Sequence, residues 1–338
     1  MKNVKRLEEF DVLKGIGILL VVLGHCNISD VLSRMIFSFH MPLFFMISGF
    51  FYYRQSPTRF LKKTAMRLLV PWLFFVALNI FYAVVYGFWL SHDIHSTVIE
   101  TLAKINPLRE YSHLLYRAIW FLIALFFVGN LYNFICHMLS AYHIDNPRVL
   151  DGIVLLSYMV GYLSQLYIDL PFFVDSALSV VLYYHLGSKF KSFLTDTDVG
   201  NFWRSPWVSV LIFVALMCLP AFFSIPEVDI KLNQYPWWLP FFMVPVFFAL
   251  YNIVKWLCSK HVCLPLRKLL VKCGFYSLCF LGFHRIVMDA IYVVYDKLPE
   301  MSETVHIITY FVILIPLVLW LSQLLEKHAP VLIGSKRK

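Results

Sequence analysis

Two ionisable side chains, Lys14 and His25, lie in an otherwise apolar stretch, DVLKGIGILLVVLGH (11–25). They are 11 residues apart, close to three helical turns, so on an α-helix both face one side, about 16 Å apart along the axis. Ionisable groups in lipid-compatible segments are costly and are first interpreted as functional. The alternatives are a lysine anchored at the membrane surface and a histidine that is hydrogen-bonded in the packing.

A second histidine, His40, lies in the next apolar stretch, FSFHMPLFFMISGFF (37–51). Phenylalanines surround it and favour a neutral imidazole, the form that a general base requires. Ser48 follows eight residues later, about two turns, and faces nearly the same way. The Ser48-Gly49 pair equally suits close packing of two helices through small residues.

A third histidine, His284, lies in GFYSLCFLGFHRIVMD (274–289), seven residues after Ser277 and on the same helical face. Arg285 is adjacent but points about 100° away. Asp289 lies four residues after Arg285, a spacing that favours a structural ion pair between them.

Cations are concentrated after the second apolar stretch, in RQSPTRFLKKTAMRLLVPW (54–72). Lys63 and Arg67 are four residues apart and would share a helical face. Such a pair suits phosphate groups, although cations also gather in ordinary cytoplasmic loops of membrane proteins.

Composition indicates the elements that must position these groups. The chain of 338 residues is 60% hydrophobic and only 14% charged, whereas soluble domains are about 45–50% apolar and about 25% charged. Long apolar runs favour a helical membrane bundle over a β-barrel, whose strands would alternate. The net charge of +9 is spread between apolar runs, so nucleic acid is not an expected partner. The seven cysteines form no C-x-x-C pair, which indicates neither a metal site nor a disulfide framework.

The sequence therefore predicts an all-α, polytopic transmembrane bundle that forms a single domain over residues 1–338. About 20 residues span a bilayer core of about 30 Å. With the N-terminus inside, 21 basic residues fall in inner loops and five in outer loops, which predicts two cytoplasmic termini. The fifth and sixth segments are the least separated, and one bent element would invert every later orientation. The ten predicted segments are 12–28, 31–53, 68–90, 115–138, 149–168, 171–188, 207–224, 237–257, 273–295 and 305–325.

Taken together, these motifs resemble the acyltransferase 3 family of integral-membrane O-acyltransferases, and within it the short, fucose O-acetylase-like members. The resemblance covers nearly the whole chain. Its most specific element is a basic residue followed after ten positions by histidine, here Lys14 and His25, with Asp11 three residues earlier. The family more often has Arg where this chain has Lys14, which gives a point charge instead of a bidentate fork. Further matching elements are His40-Met-Pro-Leu-Phe-Phe, Ser48-Gly49, Lys63 and Arg67 before Pro71, Trp120-Phe121-Leu122, and Gly274-Phe-Tyr-Ser277 leading to His284.

The resemblance implies an enzyme of the bacterial cytoplasmic (inner) membrane that moves an acyl group, most often acetyl, from acyl-CoA to a sugar hydroxyl of a surface polysaccharide or lipid-linked glycan. His25 would be catalytic, with His40 and His284 as further catalytic candidates. Lys14, Lys63 and Arg67 would bind the donor, and Asp11, Ser48 and Ser277 would support the site. Acyl-CoA enters as a co-substrate, and neither a bound cofactor nor a metal is expected.

Several alternatives stay open at this point. A transporter or flippase for a glycan or small solute would use the same intramembrane histidines as relay or gating groups. A structural membrane subunit would need them only for packing. For an acyltransferase, transfer can be direct or can pass through an acyl-histidine. The sequence leaves the acceptor sugar, the acyl group and the identity of the general base undetermined.

Overall fold

The computed structural model describes residues 7–91, 93–103, 118–164, 167, 171–195, 203–222, 235–260, 264–295 and 302–335. This part of the chain is helical and contains no strand, which confirms the all-α class. Three short turns of other helix types occur: a π turn at Ala65–Leu69 and 3-10 turns at Pro171–Phe173 and Pro330–Ile333. The α-helices are α1 (Glu8–Gly24), α2 (Asp30–Phe50), α3 (Pro57–Thr64), α4 (Val70–Ser91), α5 (Ile94–Ala103), α6 (Trp120–Ala141), α7 (Pro147–Ser164), α8 (Val174–Thr195), α9 (Pro206–Phe222), α10 (Leu239–Ser259), α11 (Leu264–Phe275), α12 (Ser277–Tyr295) and α13 (Glu303–His328).

Each of the ten predicted apolar segments overlaps one helix of at least 17 residues. Within the described residues, six helical stretches are long and apolar enough to cross a membrane, and the chain is therefore a multi-pass membrane protein. The count of ten spans and the cytoplasmic position of both termini stay predictions. The six stretches are Asp30–Phe50, Pro57–Trp89, Trp120–Ala141, Leu239–Ser259, Ser277–Tyr295 and Glu303–His328.

Helix α1 lies at the centre of the bundle and packs on α2, α10, α11 and α12. Its contact with α11 is unusually close because both helices present glycines there. A Cβ added at Gly274 would lie 1.8 Å from the carbonyl oxygen of Asp11, and one at Gly15 would lie 2.1 Å from that of Leu270. Small residues allow membrane helices to approach in this way. The start of α1 is thereby fixed against α11, next to the N-terminus of α12.

The weakly separated fifth and sixth segments are two helices, α7 and α8, that pack against each other as an antiparallel pair. Ser157 Oγ donates to the carbonyl of Leu178 at 3.1 Å, and His185 Nε2 lies 3.0 Å from Asp151 Oδ1 near the other end. One bent element is therefore excluded, as the charge pattern predicted.

Helix α2 packs on α8 through Gly49, at which a Cβ would lie 1.8 Å from the carbonyl oxygen of Tyr184. The packing interpretation of Gly49 is thus correct. The neighbouring Ser48 donates its hydroxyl to the carbonyl of Phe44 at 2.8 Å, and its side chain is only half-buried.

The two ends of the bundle differ, and α1 defines them. Its first turns carry Lys14, near Phe51 at the end of α2; we call this the Lys14 end. Its last turn leads to His25, near Phe37 in the first half of α2; we call this the His25 end. The ring contacts of Phe10 with Phe50 and Phe51 show that α1 and α2 run antiparallel.

Candidate functional site

A cavity of about 440 Å³ opens at the Lys14 end, between α1, α2, α6, α11, α12 and the π turn. Four of the predicted site residues, Asp11, Lys14, Ser48 and Ser277, lie on its wall. Lys14 Nζ lies 3.8 Å from Asp11 Oδ1 and 5.6 Å from the centroid of the Phe51 ring. The rest of the wall is mostly apolar: Ile18, Met41, Phe44, Ile47, Leu68, Phe121, Leu122, Leu125, Gly274, Phe275, Leu278 and Leu281.

The cavity wall therefore combines one cation, Lys14, with mostly apolar side chains. Such a wall suits a ligand with an apolar or thioester-bearing chain, the charged group of which would lie at the opening of the cavity. Trp120-Phe121-Leu122, singled out in the sequence, starts α6 and contributes Phe121 and Leu122 to this wall.

Lys63 and Arg67 do not line this cavity, although Leu68, the neighbour of Arg67 in the chain, does. The sequence argument assumed a regular α-helix between them, whereas α3 ends at Thr64 and Arg67 lies in the π turn. π turns are rare and occur frequently at functional sites. Arg67 is exposed, so its guanidinium is accessible at this end of the bundle.

Lys63 is held over Tyr53, with Nζ 4.4 Å from the ring centroid. The ammonium also donates a hydrogen bond to Tyr53 Oη at 3.2 Å. This bond and the positive charge of Lys63 lower the pKa of the Tyr53 phenol, with smaller contributions from Arg59 and Arg67. The cations of this segment thus create a positive electrostatic field around the exposed Tyr53 side chain.

The segment that carries these cations is fastened to α6 by Asn133, which is buried. The Asn133 amide accepts the backbone N–H of Gln55 and donates to its carbonyl, both at 3.1 Å. It also accepts the Tyr52 hydroxyl at 3.2 Å. One turn earlier, Asn130 donates to Thr64 Oγ1 at 3.0 Å. Two asparagines of α6 therefore fix both ends of the stretch from Tyr52 to Thr64.

The three predicted histidines come together towards the His25 end of the bundle. The rings of His25 and His284 stack, with centroids 5.2 Å apart and planes inclined by 20°. The Phe37 ring meets His25 edge-on at 6.3 Å and His40 edge-on at 5.0 Å. His25 and His284 are thus in direct contact, and His40 is one aromatic ring away.

Two of the histidines have a defined tautomer. His284 is fully buried, and its Nδ1 donates to the carbonyl of Phe280 at 2.7 Å. His40 Nδ1 makes the equivalent bond to the carbonyl of Ile36, also at 2.7 Å. Because a carbonyl oxygen only accepts, Nδ1 carries the hydrogen in both rings, and Nε2 of the neutral imidazole is an acceptor.

A second cavity, of about 300 Å³, lies at the His25 end between α12, α13 and the residues that follow α1. A larger share of its lining residues is polar or charged than in the first cavity. Asn27 donates its side-chain amide to Glu303 across the cavity. The wall comprises His25, Cys26, Asn27, Arg285, Met288, Asp289, Tyr292, Glu303, His306, Ile307 and Tyr310.

The histidine pair lies between the two cavities. On α12, Ser277 and Leu281 line the first cavity, His284 comes next, and Arg285 borders the second. On α1, Lys14 and Ile18 line the first cavity, and His25 borders the second. Both helices thus present the cavity walls and the pair on one continuous side.

Sequence reasoning missed several residues of the second cavity, namely Asn27, Tyr292, Glu303, His306 and Tyr310. Only a weak sequence pattern pointed to two of them: His306 and Tyr310 are four residues apart at the start of α13, so they share a helical face. Arg285 and Asp289, predicted as an ion pair, both line this cavity.

Another cluster that sequence reasoning left without a role joins α6, α7 and α8. The Tyr132 hydroxyl lies 2.9 Å from His185 Nδ1 and 2.8 Å from Ser188 Oγ. Asp151 Oδ1 lies 3.0 Å from His185 Nε2 and 2.8 Å from Lys189 Nζ. Tyr132 and His185 are buried and line neither cavity, so this chain of bonds fastens three helices together.

The model of the acyltransferase 3 family, described as "Acyltransferase domain", matches residues 7–327. A nodulation protein, NolL of Sinorhizobium fredii (strain NBRC 101917 / NGR234), is 41% identical over 85 residues. That match covers 20% of this chain and 23% of the relative. No solved structure matches. Because the family model covers nearly the whole chain, this membrane protein belongs to the acyltransferase 3 family.

Proposed function

We propose that the protein transfers an acyl group, most simply acetyl, from acyl-CoA to a hydroxyl group of a glycan or lipid-linked sugar. One observation carries this proposal: a stacked pair of histidines lies between two cavities, of which the one at the Lys14 end has mostly apolar lining residues and the one at the His25 end has more polar and charged ones. Membership of an acyltransferase family disfavours the transporter and the structural subunit that the sequence left open.

The cavity at the Lys14 end suits the donor. Basic residues are concentrated at this end, which favours a position on the cytoplasmic side, where acyl-CoA is available. Lys14 would bind the phosphates near the mouth, with Lys63 and Arg67 beside it. The pantetheine arm would lie along the apolar wall, past Ile18 and Leu281, and bring the thioester towards the histidines.

The cavity at the His25 end suits a sugar acceptor. The Asp289 and Glu303 carboxylates can accept hydrogen bonds from sugar hydroxyls, and Arg285 and Asn27 can donate to them. Tyr292 and Tyr310 offer rings beside these polar groups. Acyl groups would thus pass from the cytoplasmic side of an inner membrane to an acceptor on the opposite side.

The proposed chemistry is direct transfer. His25 removes the proton of the attacking sugar hydroxyl while the hydroxyl oxygen forms a bond to the thioester carbonyl carbon. The carbon–sulfur bond then breaks, and the CoA thiolate leaves and takes the proton from the His25 imidazolium. The products are the sugar ester and CoA–SH. His284 stacks on His25 and holds the orientation of its ring.

The test uses the purified protein in detergent with acetyl-CoA and a panel of candidate glycans, and it measures free CoA thiol and esterified sugar. We expect acceptor-dependent thiol release with an equal amount of ester. Absence of thiol release with every acyl-CoA and acceptor, from protein that is folded, would contradict the proposal. A labelled acyl group retained on His25 without acceptor would replace direct transfer by an acyl-histidine mechanism.

A further inference from the structure

A third cavity, of about 230 Å³, lies between the C-terminal ends of α8 and α10 and the start of α9. It shares no lining residue with the cavity at the Lys14 end. It lies at the same end of the bundle, because Tyr251 on its wall contacts Phe10 of α1 with ring centroids 5.6 Å apart. Neither the transfer reaction nor the family match gives it a role.

The polar part of this cavity is suited to an anion. Arg204 and Lys255 line it together with Asn252 and Ser259, and no carboxylate occurs among its lining residues. Lys255 Nζ lies 5.8 Å from the centroid of the Tyr251 ring, which places the ammonium beside this wall. Two cations in the wall of one cavity attract a phosphate.

The backbone that carries Arg204 is held in place. Asn252 is buried, and its amide donates to the carbonyl of Trp203 at 3.2 Å and to Ser209 Oγ at 3.2 Å. Helix α10 therefore fixes the entry to α9 on both sides of Arg204. The cation is presented by an ordered segment and not by a free loop.

The surroundings of the cavity are those of a membrane interface. Trp203 and Trp207 are 53% and 70% exposed, and Trp207 contacts Trp256 of the cavity wall. Tryptophan is enriched where a membrane protein meets the boundary between lipid and water. Phe193, Leu194 and Phe248 form an apolar wall below the cations, which suits the upper part of an acyl chain.

From this combination we propose that the cavity binds the phosphate headgroup of an anionic phospholipid. Basic pockets between membrane helices on the cytoplasmic side hold such headgroups. Arg204 and Lys255 bind the phosphate, and the acyl chains lie against Phe193 and Phe248. This site is independent of the transfer chemistry at His25.

The test measures lipid binding by the purified full-length protein in a neutral detergent, by native mass spectrometry and by the thermal midpoint of unfolding. Phosphatidylglycerol, phosphatidylcholine and inorganic phosphate are added separately. We expect saturable binding and a raised midpoint with phosphatidylglycerol alone. An equal shift with phosphatidylcholine, or with inorganic phosphate, would overturn the assignment to an anionic lipid.

Matched variants locate the site. We expect Arg204→Gln and Lys255→Gln each to weaken phosphatidylglycerol binding about fivefold, and the double variant about 30-fold. Lys260→Gln removes an exposed cation just past α10 that does not line the cavity, and binding should be unchanged. Unaltered binding by the double variant, or an equal loss in Lys260→Gln, would overturn the proposal. If the double variant fails to fold, the two single variants and the comparison of the three ligands on the wild-type protein test the proposal instead.

Discussion

The His25 and His284 rings stack with centroids 5.2 Å apart, and Nδ1 of His284 is bound to the Phe280 carbonyl. His284 therefore presents a fixed ring to His25. If it positions His25 through an Nε2 acceptor, His284→Phe should keep the stack but lower kcat about 10–100-fold. His284→Asn, which restores an acceptor, should recover part of the loss, with KM for acyl-CoA unchanged in both. Full activity of His284→Phe would show that stacking alone suffices.

Lys14 is expected to bind the acyl-CoA donor, since it is the cation among the residues that line the cavity at the Lys14 end. Lys14→Ala should raise KM for acyl-CoA about 10–100-fold, the effect of losing one charge-assisted hydrogen bond. Lys14→Arg should be tolerated far better because the charge is kept. The control is Lys62→Ala, an exposed cation outside the cavity wall. Equal losses in Lys14→Ala and Lys14→Arg would mean that the charge is not what matters.

Asn133 should act through the segment that it fastens. Asn133→Leu removes three hydrogen bonds and leaves the Gln55 backbone without its side-chain partner. We expect KM for acyl-CoA to rise more than kcat falls, because Lys63 and Arg67 lose their fixed position. Tyr52→Phe removes one of the three bonds and should have a small effect. A fall in kcat alone, with KM unchanged, would argue against a positioning role in donor binding.

The contact between α1 and α11 predicts a pair of opposite stability effects. Gly274→Ala places a Cβ against the Asp11 carbonyl and should cost about 1–3 kcal/mol, as overpacking does. Gly152→Ala in α7 meets nothing within 4 Å and should be neutral or should stabilise by about 0.5–1 kcal/mol. Unfolding in mixed micelles measures both. Similar behaviour of the two variants would contradict the close contact.

Helical periodicity accounts for what could be predicted from the sequence. The spacing from Asp11 to Lys14 predicts that both residues lie on one side of a helix, and both line the first cavity. Ser277 lines the same cavity, and His284, two turns later on α12, is buried against His25. The separation of α7 from α8 could likewise be predicted, because basic residues favour cytoplasmic loops and their distribution therefore depends on how many times the chain has crossed the membrane.

Contacts between distant helices could not be predicted in this way. Asn27 meets Glu303, 276 residues later, and Asn133 meets Gln55, 78 residues earlier. No local pattern encodes such pairs, so the polar cavity and the fastening of the basic segment appeared only with the fold. The π turn at Ala65–Leu69 was missed for a different reason, since the prediction assumed regular α-helical geometry.

The most direct test of the account is acyl transfer by His25→Ala in proteoliposomes, with acetyl-CoA on one side and the acceptor identified from the glycan panel on the other. Loss of a general base lowers rates about 10²–10⁴-fold. We expect such a fall in transfer, with unaltered membrane insertion, unfolding midpoint and acyl-CoA binding. Transfer by folded His25→Ala at the wild-type rate would contradict the central claim that His25, between the two cavities, takes the proton from the acceptor.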